Sequence, residues 1–528
     1  MVPGSNPGGP TQFRISKFGF RILHARVRAR ILFLLELAVV IALVIVTRCA
    51  NYSDVFPGNQ INFVDADCFA RMTRTRICFD HPGTIVRRHD FENFPIGISP
   101  HTTAPLDYLI DGMAAALQPL SNHGLELAGV IVSPVLAIGL GIFLCWWTRQ
   151  MRLRFRWALL LLYALSPILA HGFALGRPDH QSLALALVAV ALCGEWALAR
   201  EPSLIWSFLT GMSWALAIWV SPYEPLILFA LVVPLRGRTV FAPSRRIGWT
   251  AFAVIIAIAL SIERRIPWPP GSEALIGLRN WSGTIGELVH VPWVREAWFE
   301  WCGWLLLLTP ILFWRIRENP QWFMIMLLIA TFVLTIWQAR WSYFFALVFA
   351  FIAPQILGAL RNSIIASISF AIGLFPVVQA WDRSFSDEER ARRSEDMIEL
   401  IELHDLAQTI DGPFIAPWWF SPALTYWSGQ PAVAGSSHES INGIIDSAKF
   451  FAADHSDIAQ AICARRGVIW VVSYDSQRLA RNTAGILGTI IAPGAMVYVL
   501  DQNPSGAPAF LRLSWQTGRF KSYRVSNF

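Results

Sequence analysis

Charge is what this sequence has least of. Only 15% of its 528 residues are Asp, Glu, Lys or Arg, whereas soluble domains carry about 25%. An ordinary water-soluble enzyme is excluded on that ground. Paired cysteine motifs are also lacking: the seven cysteines (49, 68, 78, 145, 193, 302 and 463) form no CxxC, which argues against zinc ribbons and dithiol redox chemistry. Cys68 and Cys78 fall in one loop, where a disulfide and two free thiols fit the sequence equally well. No internal repeat is evident.

What fills the chain instead is apolar. Hydrophobic residues make up 54%, with 24 Trp and 35 Phe, as in a membrane bundle whose aromatic rings anchor it at two interfaces. Residues 1–13 are rich in Gly, Pro and Ser and read as disordered, and 14–30 are basic. Apolar runs follow at 31–47, 127–147, 156–175, 181–199, 203–220, 222–235, 247–262, 298–314, 321–337, 342–359 and 363–380. Most approach the ~20 residues that cross a bilayer, so about eleven membrane helices are expected. The net charge of +7 sits largely in short clusters beside these runs, which orients a membrane protein rather than marking nucleic acid binding.

With the N-terminus inside, the connections 148–156, 235–246 and 315–320 are cytoplasmic and basic. The outer connections are then 48–126, 176–180, 221, 263–297, 338–341 and everything from 382. The C-terminal region changes character. A charged helical stretch at 385–408, helix at 455–466 and β-rich runs at 467–473, 496–500 and 510–515 suggest an extracytoplasmic α/β domain over 382–528. The organisation expected is a cytoplasmic segment 1–30, a membrane domain 31–381 and that outer domain.

Every notable polar motif falls on the outer side. Asp65-Ala66-Asp67 follows the first span, and two carboxylates at i and i+2 suit a hard cation such as Mn²⁺ or Mg²⁺. Arg71, Arg74 and Arg76 follow at near-helical spacing, a basic stripe suited to a phosphate headgroup. Arg177-Pro178-Asp179-His180-Gln181 occupies a very short loop, and Thr284-Ile285-Gly286-Glu287 a long one. Arg340 stands nearly alone in a tight connection, where an arginine either snorkels to headgroups or grips a diphosphate.

In this order the motifs resemble the catalytic subunit of oligosaccharyltransferase, a GT-C fold membrane glycosyltransferase that uses polyprenyl-linked sugar donors. The resemblance implies Asp65 as the catalytic carboxylate with Asp67 as its auxiliary. It implies Asp65, Asp179 and Glu287 as ligands of Mn²⁺ or Mg²⁺, with Glu287 also catalytic. Arg340 and Arg177 would hold the donor phosphate. The family carries two acids at its second acidic site; this chain offers Arg177-Pro178-Asp179 or Asp179-His180-Gln181, so one acid is missing in either register. The family's WWDYG motif, which reads the acceptor hydroxyl, here becomes Trp418-Trp419-Phe420-Ser421-Pro422. Trp418, Trp419 and Phe420 would then face an acceptor other than a standard sequon, because a phenyl ring accepts no hydroxyl hydrogen bond. His438, Glu439, Asn442 and Lys449 are further groove candidates.

The implied function is transfer of a sugar or oligosaccharide from a polyprenyl (di)phosphate to a protein, lipid or glycan acceptor, in a setting that suits a bacterial inner membrane. The alternatives are a polyprenyl-monophosphate sugar transferase acting on protein hydroxyls, lipid A or polysaccharide, and a non-enzymatic transporter of lipid-linked sugar. Transporters tend to carry charge midway along broken helices within repeated halves, and here the charges lie at span ends.

Overall fold

The computed structural model describes residues 17–58, 60–265, 275–314 and 321–526. Residues 1–13 and the basic loop 315–320 lie outside these. Among the described residues, six helices are long and apolar enough to cross a membrane: Arg30–Arg48, Gly124–Gln150, His180–Arg200, Pro243–Glu263, Ala339–Ala359 and Ser363–Ser384. Shorter apolar helices occupy Arg156–Leu165, Leu204–Val220 and Trp322–Trp337. The chain is a polytopic helical membrane protein.

Five of the eleven expected spans are interrupted or short, two of them at breaks with a local cause. Pro167 follows Ser166 and splits 156–175 into Arg156–Leu165 and Pro167–His171, because proline cannot continue the hydrogen-bond ladder. Gly303, at φ +73°, and Pro310 divide 298–314 into Ala297–Cys302, a 3-10 turn Trp304–Leu308 and Pro310–Trp314. The run 222–235 becomes Glu224–Arg236, only 13 residues.

Burial orders the bundle. The best apolar stretch of Ala339–Ala359 is 83% buried and forms its axis, whereas that of Arg30–Arg48 is 17% buried and leaves most of its apolar surface outward. Helices Leu204–Val220 and Arg246–Glu263 cross where Gly211 meets the Gly248 carbonyl. A Cβ at Gly211 would collide with that backbone, so a small residue sets the approach.

The first outer segment folds into helices Tyr52–Val55, Ala66–Asp80 and Ala104–Leu117. Asp65 caps the second, accepting from the Cys68 N–H at 2.9 Å. The expected basic stripe is in part engaged internally, although Arg71 and Arg74 also line the cavity described below. Arg71 and Arg74 turn inward onto Asp107 at 2.8 and 2.5 Å, all three buried, because a buried guanidinium needs a paired anion. Cys68 and Cys78 are both buried free thiols.

Toward the C-terminus a mixed four-stranded sheet runs in the order β1-β2-β4-β3. Strand β1 (Phe414–Ile415) pairs parallel with β2 (Trp470–Ser473), while β4 (Lys521–Val525) runs antiparallel to both β2 and β3 (Leu511–Gln516). Helices Asp387–Ala407 and Ser456–Arg466 match the expected helical stretches. The expected strand at 496–500 is instead helix Met496–Gln502, whose buried Met496, Val497 and Leu500 follow helical spacing. One hydrophobic cluster joins Phe63, Phe69 and Met72 to Leu403, Phe414 and Phe420, so the C-terminal region packs directly on the first outer segment.

Candidate functional site

Five chain segments far apart in sequence meet at one cavity of about 120 Å³, lined by Asp67, Asp179, His180, Glu287, Arg340 and His438 among others. Helix ends deliver most of them. Asp67 lies in the first turn of Ala66–Asp80, and Asp179 immediately precedes helix His180–Arg200. Glu287 sits in the 3-10 turn Gly286–Leu288 and Arg340 in Ala339–Trp341. The Ala339 N–H donates to the Val289 carbonyl at 3.0 Å and ties these two turns together. His438 opens a further 3-10 turn, His438–Ser440.

Arg177 lies behind this lining with its side chain 2% exposed. Its guanidinium donates to Glu287 at 2.8 Å and stands 3.6 Å from both Asp65 and Asp179. It also contacts His171 at 3.0 Å and the Gln181 side-chain oxygen at 3.3 Å. Glu287 receives a second hydrogen bond from Gln181 Nε2 at 3.1 Å. Arg340 pairs with Glu224 at 2.5 Å, so the connection that looked almost free of charge in sequence holds an ion pair.

The carboxyls are tuned apart. Depth in the protein, followed by the charges of Asp65 and Asp179, raises the Asp67 carboxyl to about 7, although its side chain faces the open cavity. Burial alone would raise Asp179 as well, but His180 at 2.7 Å and Arg177 outweigh it and hold that carboxyl well below the usual range. Glu287 is lowered too, its burial outweighed chiefly by Arg177. The Arg177 guanidinium is itself held more firmly protonated than usual: burial opposes the charge, and Tyr343, Asp65, Glu287 and Asp179 favour it more strongly.

The residues expected to bind Mn²⁺ or Mg²⁺ are brought together, but around a guanidinium. A hard cation requires several oxygens at about 2.0–2.2 Å, and the space between Asp65, Asp179 and Glu287 is filled by Arg177. Asp65 spends its other oxygen on the helix cap. As arranged, these donors do not fit a divalent ion. Among the described residues, the side-chain group whose ligand atoms lie close enough to hold a metal is His101, His438 and Glu439, all within 4.8 Å of one another. His101 was not singled out in the sequence; it comes from the stretch preceding helix Ala104–Leu117 and stacks on His438 at 4.5 Å.

The aromatic acceptor set is divided. Trp418 packs edge-on against Trp281, which lines the cavity, and its indole N–H donates to Asn482 at 3.1 Å. Trp419 is half-buried against Phe420 and Tyr474. Phe420 corrects the expectation of an acceptor contact. It is 6% exposed and packs on Tyr474 and Phe520 at 5.0 and 5.2 Å, a core position. Asn442 and Lys449 fall on helix Ile441–Ala452 and do not line the cavity.

No protein-family model matches the sequence, and no curated protein matches it. Solved structures do match in fold. The apo form of the oligosaccharyltransferase of Archaeoglobus fulgidus aligns at TM-score 0.67 and 12% identity, covering 92% of this chain and 80% of that one. The oligosaccharyltransferase AglB from Archaeoglobus fulgidus, in complex with an inhibitory peptide and a dolichol-phosphate, aligns at 0.65 and 14%, covering 89% and 72%. The Archaeoglobus fulgidus oligosaccharyltransferase tethered to an acceptor peptide containing an NVT sequon aligns at 0.64 and 14%, covering 94% and 74%. The chain therefore has the fold of the GT-C membrane glycosyltransferases, in the arrangement of the archaeal oligosaccharyltransferase.

Proposed function

We propose that this protein transfers a sugar or oligosaccharide from a polyprenyl phosphate or diphosphate to an acceptor at the outer face of the membrane. The observation that carries the reading is the convergence of Asp67, Asp179, Glu287 and Arg340 on one cavity at helix ends within a GT-C fold. The archaeal enzyme of that fold has been captured with dolichol-phosphate and with peptides, which supports a lipid-linked donor here.

In this reading the acceptor nucleophile attacks the anomeric carbon. The C1–O bond to phosphate breaks, and the polyprenyl phosphate leaves with the electron pair. Arg340 faces the departing negative charge. Asp67, with its carboxyl near 7, takes the acceptor's proton, the role the resemblance gave to Asp65. Asp65 instead holds the helix that carries Asp67. Glu287 orients the acceptor from the opposite loop.

Non-sequon acceptors, such as hydroxyls of protein, lipid A or polysaccharide, are favoured by the core position of Phe420, which supplies no hydrogen-bond acceptor. The test is comparative mass spectrometry of glycans, lipids and glycoproteins with and without the gene, complemented by wild type or Asp67→Asn. A modification lost on deletion and restored only by wild type supports transfer. An unchanged glycan, lipid and protein profile sinks it.

A further inference from the structure

The cation at the centre of the carboxylates is part of the chain. Three segments deliver Asp65, Asp179 and Glu287 to one point, and the point is occupied by the Arg177 guanidinium at 3.6, 3.6 and 2.8 Å. The remaining contacts of Arg177 fix it there. One guanidinium nitrogen meets His171 and the other the Gln181 oxygen, and the side chain is 2% exposed. Its Nε is buried without a partner, so the cation is retained by its carboxylates rather than by a full set of hydrogen bonds.

Charge balance points the same way. Asp65, Asp67, Asp179 and Glu287 bring up to four negative charges into a small volume. His180 pairs with Asp179, and the Arg177 guanidinium stands against Asp65, Asp179 and Glu287. A divalent ion between Asp65, Asp179 and Glu287 would sit within contact distance of a buried arginine. It would have to expel that side chain or bear like-charge repulsion where solvent screens poorly. Arg177 also stands two residues before Asp179, where one register of the resemblance calls for the absent acid. In that register the residue that stands in place of an acid is itself a cation.

We infer that Arg177 is the resident cation of this site and organises Asp65, Asp179 and Glu287 without a divalent ion bound among them. The inference rests on the proposed transfer reaction for its consequence, that transfer needs no Mn²⁺ or Mg²⁺ held by Asp65, Asp179 and Glu287. Its structural content stands apart from that reaction. Arg177 lies behind the cavity lining, so it is a positioning residue; Arg340 faces the cavity.

The decisive measurement is Mn²⁺ binding to the purified full chain in detergent, followed by electron paramagnetic resonance. Wild type should show no bound Mn²⁺ that Glu287→Gln removes. Arg177→Asp, which replaces the cation by a fourth ligand, should gain Mn²⁺ binding that a second change, Glu287→Gln, abolishes. Bound Mn²⁺ in wild type that disappears in Glu287→Gln overturns the inference, and this arm needs no variant at Arg177 to fold. Absence of transfer under every condition would instead remove the proposed function and leave the binding result to decide the site.

Discussion

Arg340 and Glu224, separated by more than a hundred residues, lie 2.5 Å apart at the edge of the cavity. Glu224 also accepts from the Ser221 hydroxyl at 2.8 Å, so the carboxylate is anchored from its own segment. The pair fixes the guanidinium at the cavity, where the proposed reaction needs it against the donor phosphate. Arg340→Ala should lower use of the donor by about 10- to 150-fold, the equivalent of one charge-assisted hydrogen bond at about 1.5–3 kcal/mol. Arg340→Lys should recover only part, because an ammonium cannot make the two-pronged contact. Initial rates against donor concentration decide it; an unchanged donor dependence in Arg340→Ala would remove this residue from the donor site.

In the proposed reaction Asp67 should confer a pH dependence. Its carboxyl is raised to about 7, so the proton-accepting form is scarce below that pH and predominant above it. Transfer should climb about tenfold per pH unit on the acidic side and level off above about 7. The limb should vanish from whatever activity Asp67→Asn retains. Asp179 should contribute no limb in this range, because His180 and Arg177 keep its carboxyl ionised far below neutral pH. A flat profile from pH 5.5 to 8.5 would assign the proton transfer to another group.

The order of motifs along the chain was legible because each acidic site sits at the end of an apolar run, and helix ends converge in a bundle. Asp179, Glu287 and Arg340 could be placed together from span counting alone. Pairing could not be read that way. Arg71 and Arg74 stand out in sequence as a basic pair, but their shared partner Asp107, more than thirty residues on, does not. Nothing local in the sequence marks Arg177 as an occupant of the carboxylate site rather than a donor ligand. The strand expected at 496–500 failed for a similar reason. Met-Val-Tyr-Val-Leu favours β structure by composition, yet its buried positions follow a helical spacing set by contacts elsewhere. The basic loop 235–246 was read for orientation only, although Arg236 and Arg245 also clamp the buried Glu195 at 3.2 and 2.7 Å.

Orientation is tested with reporter fusions. Positions 155 and 240 should score cytoplasmic and position 385 exported, because the basic connections and the acidic motifs alternate across the apolar runs. A cytoplasmic signal at 385 would put the cavity on the wrong side of the membrane for an outer-leaflet donor.

Asp107→Ala should destabilise the protein by about 3–5 kcal/mol, since it strands two buried guanidinium groups. The measurement is thermal unfolding in detergent, where a large downward shift is expected. Were Arg71 and Arg74 instead held in place for a phosphate, added donor lipid would restore the lost stability in the variant. Failure of donor to do so supports the clamp.

Phe420 separates a core role from acceptor recognition. Phe420→Ala should cost about 3–5 kcal/mol of stability, as large aromatic truncations in cores do, because Tyr474 and Phe520 both lose a ring partner. Phe420→Asp would bury a carboxylate in that aromatic cluster and should prevent folding rather than create sequon selectivity. Trp418 is the contrasting position. Its ring rests on Trp281 at the cavity wall, so Trp418→Ala should weaken acceptor use more than it lowers the melting temperature. With no hydroxyl-reading acid at position 420, Asn-x-Thr peptides should be no better acceptors than Asn-x-Ala peptides. Threonine-dependent transfer to asparagine by the unmodified protein would mean that another residue reads the hydroxyl, and that the chain is an N-linking enzyme despite its altered motif.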